Sequence, residues 1–80
     1  MEINYDKVDE TVLALLHLTS FEMGGSVRAW KGHDWETLDR LHTKGMIGDA
    51  KSKAKSVMLT DEGQKRAKEF FTKYFQKNTL

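Results

Sequence analysis

Cysteine is missing from this chain of 80 residues. That excludes disulfides, a thiol nucleophile and thiolate zinc sites together, and it fits a cytoplasmic protein. Proline is missing too. Long apolar runs are also lacking. The longest, Val12-Leu13-Ala14-Leu15-Leu16, is far too short to span a bilayer, and the acids ahead of it are unlike a signal sequence. Neither sign of charge dominates: the formal net charge of +1 points to no particular partner. No glycine-rich phosphate loop is present, because Gly24-Gly25 stands as a lone doublet. His17, His33 and His42 never fall at the spacing that brings two imidazoles to one helix face. A pairing of His42 with Asp39 or Asp34 would mimic an acid–base couple, but a satisfied structural histidine is the better reading. No catalytic residue, cofactor, metal or small-molecule ligand is therefore expected, and the chain is read as something other than an enzyme.

What remains is ordinary globular material, 39% hydrophobic and 31% charged, which argues against disorder. Residues 1–80 make a single domain. A domain of this size buries only about 60% of its unfolded surface, so association with a second copy would help it.

The most informative stretch runs from Lys55 to Gly63. A β-type run, Ser56-Val57-Met58-Leu59, passes directly into a helix start. Thr60 suits the cap, Asp61 and Glu62 suit the positive end of the helix dipole, and Gly63 allows the first turn to approach another backbone. That helix is predicted over 61–76, with Ala67, Phe70, Phe71, Tyr74 and Phe75 as its buried stripe. An earlier helix, capped by Asp34, is predicted over 34–45 and ended by a left-handed Gly45. Residues 46–48 and 56–60 then pair as an antiparallel hairpin. The first helix is predicted over 6–20 with Asp6 as its cap. Tyr5, Val8, Val12, Leu15, Leu16 and Thr19 form its inner face, flanked by Leu13 and Leu18. Residues 27–31 read either as one helical turn or as a short strand completing a sheet with the hairpin, and the strand is preferred.

Helix, strand, short basic loop, strand and capped helix is the order of a winged helix-turn-helix. The expected fold is thus small α+β: three helices packed with a two- or three-stranded antiparallel wing. The positioning helix is short or absent, because residues 20–34 leave no room for a full one if 27–31 form a strand. The motifs Arg28-Ala29-Trp30-Lys31-Gly32-x-Asp34-Trp35, Leu38-Asp39-Arg40-Leu41-His42-x-Lys44-Gly45 and Leu59-Thr60-x-Glu62-Gly63 resemble a group of short, uncharacterised bacterial proteins with a winged-helix-like pattern. That resemblance implies the fold and carries over no catalytic or ligand residue.

Two binding functions compete. Protein interaction or homodimerisation through the winged-helix body takes Leu13, Leu18, Phe71, Phe75, Trp30 and Trp35 as interface candidates. The two tryptophans either form an exposed platform or, the preferred reading, close one end of the core with Arg28 or Lys31 over a ring. The alternative is a transcriptional regulator gripping duplex DNA, with Lys51, Lys53, Lys55, Arg40 and Lys44 as candidates. The alternating wing lysines would share one side of an extended chain as a phosphate clamp. The blander reading is that they keep an exposed edge soluble. Residues 34–45 hold two bases against three acids, and Glu36 stands four residues before Arg40, where it would compete with DNA for the guanidinium.

Overall fold

The computed structural model describes residues 1–77. Its order is α1 (Tyr5–Leu18), β1 (Phe21–Met23), β2 (Ser26–Trp30), α2 (Trp35–Thr43), β3 (Ser56–Met58) and α3 (Asp61–Phe75). Three helices and one antiparallel sheet in the order β1-β2-β3 make a small α+β fold, consistent with a winged-helix-like arrangement. The segment preferred as a strand is β2. It pairs with β3 through Arg28↔Met58, Ala29↔Val57 and Trp30↔Ser56. Between α1 and α2, where a positioning helix would stand, the chain makes a β-hairpin instead.

That hairpin is the main departure from expectation. Met23 pairs with Ser26 across Gly24-Gly25, and both glycines have positive φ (59° and 84°). Two successive positive φ values define the tight turn whose twist matches its flanking strands. The doublet therefore joins two strands rather than merely ending a helical segment. The expected 46–48 arm shrinks to a single bridge, Ile47↔Leu59, supported by Gly48 N–H donating to the Met58 carbonyl at 2.8 Å.

Helix boundaries follow their caps. Asn4, not Asp6, caps α1: its side-chain oxygen accepts from Lys7 N–H at 3.1 Å, leaving Asp6 to the first turn. Asp34 caps α2 by accepting from Thr37 N–H, and Gly45 follows at φ 77°. Thr60 caps α3 by accepting from Gly63 N–H at 2.9 Å, while its own hydroxyl donates to the Gly45 carbonyl at 2.6 Å. A Cβ on Gly63 would overlap the Met46 carbonyl and stand 2.7 Å from its carbon. The predicted close approach is therefore real: α3 starts against the backbone that leaves α2.

The core gathers Leu13 and Leu16 from α1, Ala29 and Val57 from the sheet, Leu38 and Leu41 from α2, Ile47, Leu59, and Ala67 from α3. Each fully buried leucine contributes about 1.5–3 kcal/mol. The buried stripe of α1 runs through Asp9, Leu13, Ala14 and Leu16, turned by about one residue, or 100°, from the expected face. Tyr5 and Leu18 are left exposed. The turn is possible because α2 supplies two cations to the carboxylate of Asp9. It also places Leu13 inside the monomer at 1% exposure, so this interface candidate is a core residue. On α3, Ala67 is buried and Phe70, Phe71 and Tyr74 are half-buried, whereas Phe75 is exposed rather than part of the stripe.

Candidate binding surfaces

Alternation along the strands sorts the sheet into two faces. Val27, Ala29 and Val57 turn towards the core. Phe21, Met23, Arg28, Trp30 and Met58 share the other face by their pairing. Trp30 is 58% exposed and its ring centroid lies 5.1 Å from that of Phe21. The preferred reading of the tryptophans as core closure is thus corrected: both stay outside, Trp35 at 55%. Strand alternation turns Trp30 to the face opposite the buried Ala29, and Trp35 is the first residue of α2, outside its buried stripe of Thr37, Leu38 and Leu41. Arg28 is held flat on the sheet, donating to Ser56 Oγ at 2.7 Å and to the Ser56 carbonyl at 2.8 Å. Phe21, Met23 and Arg28 were not among the candidates. The signal that would have found them is Gly-Gly between two short strand-like runs.

This outer face meets the loop 49–55 in an open groove of about 470 Å³, lined by Phe21, Met23, Arg28, Trp30, Lys55 and Ser56 together with Ala54. Lys31 straps the loop down. Its ammonium donates to the carbonyls of Ala50 at 2.8 Å and Ser52 at 2.6 Å, and lies 5.8 Å from the centre of the Trp35 ring. Lys51, Lys53 and Lys55 are all exposed, and among the described residues none joins an ion pair. Their segment is a series of turns and bends rather than an extended arm, so alternation does not set which way they point.

Arg40 and Lys44 are placed quite differently. Arg40 grips Asp9 through its Nε at 2.9 and 3.0 Å and its second guanidinium nitrogen at 2.8 Å. Lys44 reaches the same carboxylate at 2.8 Å and Asp6 at 3.4 Å. The expected competitor Glu36 is therefore not the partner of Arg40; Asp9, only 2% exposed, is. Burial alone would push the Asp9 carboxyl up, but the hydrogen bonds and charges of Arg40 and Lys44 outweigh it and hold it below the usual carboxylate range. Hydrogen bonding to Asp9 raises both bases in turn. A small cleft of about 260 Å³ opens beside the cluster, bounded by Asp6, Glu10, Lys44, Arg66 and Phe70 among others.

Between α1 and α3 the aromatic side chains form a run. The His17 ring lies tilted 5.3 Å from Phe71, and Phe71 lies 5.8 Å from Phe75. The Tyr74 hydroxyl donates to Glu10, a bond that raises the phenol above its ordinary value. Leu18, at 62% exposure, and Phe75, at 46%, remain open to solvent at the ends of these helices. His42 is paired through Nδ1 with the Ile47 carbonyl at 3.1 Å, away from Asp34, which accepts from Thr37. Among the described residues no three histidines or acids converge as a metal site, and no helix is long and apolar enough to cross a membrane.

Comparison with known proteins gives kinship without a role. A family model described as a domain of unknown function (DUF6429) matches residues 4–77. The chain is 52% identical over 75 residues to "Uncharacterized protein y4hR" of Sinorhizobium fredii, covering 94% of this chain and 97% of that relative. No solved structure matches. The chain belongs to the DUF6429 family.

Proposed function

We propose that this chain is a non-enzymatic binding module that associates with protein, first of all with a second copy of itself, through the outer side of the α1–α3 pair. The observation that carries the reading is the aromatic run from His17 through Phe71 to Phe75, which ends in solvent with Leu18 also uncovered. Contiguous exposed apolar area marks an interaction surface, and the adjoining rings of Phe71 and Phe75 supply such area. A small body gains proportionately most from a partner. Leu13 has no part in the contact; Leu18, Phe71 and Phe75 carry it. Amide resonances followed through a dilution series test the surface: shifts should concentrate near Leu18, Phe71 and Phe75. Shifts confined elsewhere, or none, would reject it.

A second reading, duplex DNA gripped by the 49–55 loop, is supported by the exposed and unpaired Lys51, Lys53 and Lys55. Arg40 and Lys44 add little to it, since Asp9 and Asp6 already pair with them. Its mark would be weak, sequence-indifferent binding with a steep salt dependence.

A further inference from the structure

We infer that the groove between the outer sheet face and the 49–55 loop binds a single strand of nucleic acid, with one base stacked on Trp30 and a neighbouring phosphate on Lys55. The inference is independent of self-association, which uses the helices.

The groove sets the exposed Trp30 ring beside cationic side chains. The groove's lining holds two cations, Arg28 and Lys55, and no acid. The one acid on β1, Glu22, pairs opposite Val27 and therefore belongs to the other face. Phe21 backs the Trp30 ring, whose exposure leaves a broad surface in solvent. Arg28 sits two residues from Trp30 on the same face, and its two bonds to Ser56 fix it there before any ligand arrives. On the opposite wall Lys31 holds the loop through its ammonium and through its own N–H, which donates to the Lys55 carbonyl at 3.1 Å, so Lys55 is carried by a restrained backbone.

An aromatic face beside a cationic rim suits a polyanion whose monomers carry flat rings. Phe21, Met23, Arg28 and Trp30 are residue types that protein interfaces favour, but Lys55 is of a type depleted there and the lining offers no acid to match a basic partner. Competition by an acidic polypeptide therefore separates the two occupants. A duplex fits less well, since its bases are already stacked and cannot offer a face to Trp30. The only hydroxyl in the lining, that of Ser56, is buried and engaged by Arg28. Nothing is left to read a ribose 2′-OH, so RNA and DNA strands should bind alike.

The test uses the full chain carrying Trp35→Phe, which leaves Trp30 as its single tryptophan. Oligothymidylate and oligouridylate should each quench Trp30 fluorescence at low salt, with similar affinity. Labelled-strand anisotropy should show Trp30→Ala weakening binding about 5- to 150-fold and Trp30→Phe by less. Because Trp30 lies mostly outside the core, both variants should fold, which circular dichroism checks. Lys55→Gln should lower the salt slope by about 0.7, one phosphate contact to a single strand. Four results would overturn the inference: no quenching at low salt, equal competition by polyglutamate, a duplex bound more tightly than either strand, or Trp30→Ala binding like its parent.

Discussion

Arg40 stands on α2 and Lys44 at its C-cap, Lys51, Lys53 and Lys55 in the loop that follows, and among the described residues only the first two meet carboxylates. The cations of α2 are committed to the fold, because the packing of α1 on α2 delivers Asp9 between them. The loop cations are exposed and form no ion pair among the described residues. Similar side chains a few residues apart thus serve different ends. Helix packing decides which, and spacing along the chain does not reveal it.

The change with the largest expected effect strikes the joint between the two regions. Gly63→Ala drives a methyl group into the Met46 carbonyl, on the segment that leads from α2 into the loop. A loss of about 3 kcal/mol or more, read from the denaturant midpoint, should follow. A change below about 1 kcal/mol would mean that this backbone contact is loose.

Next comes Asp9→Asn, which leaves both α2 cations facing an amide. It should lower stability by about 2–3 kcal/mol. The sign of its pH dependence is fixed by the depressed carboxyl. A group whose pKa is lower folded than unfolded contributes stability above its unfolded value and loses it as pH falls through the folded one. The parent should therefore lose stability as pH falls below the ordinary carboxylate value of 3.8. Across that window the Asp9→Asn curve should be flatter. Parallel curves would show that Asp9 is not the titrating group.

Some of this was legible in the residues. The caps at Asp34 and Thr60, the left-handed Gly45 and the close approach of Gly63 all follow from local chemistry, where one residue's side chain or lack of one decides the backbone. The hairpin at Gly24-Gly25 was missed because its first strand, Phe21–Met23, is too short to show alternation. The face of α1 was misread because a hydrophobic wheel cannot place an aspartate in the core; that needs knowledge of Arg40 and Lys44, distant in sequence. The tryptophans were misassigned for a related reason. Their size suggests burial, but the register of β2 and the start of α2 put both rings outside.

A smaller effect sharpens the same contrast. Replacing Lys51, Lys53 and Lys55 together with glutamine should leave stability within about 0.5 kcal/mol of the parent, measured by the same denaturant midpoint. A large loss would place these lysines among the residues that hold the fold.

Sedimentation equilibrium on the parent and on Phe75→Glu, side by side across micromolar concentrations, tests self-association most directly. The parent should show a mass above 9.2 kDa that rises with concentration, while Phe75→Glu stays at 9.2 kDa. A parent that remains at 9.2 kDa at every concentration would contradict the account.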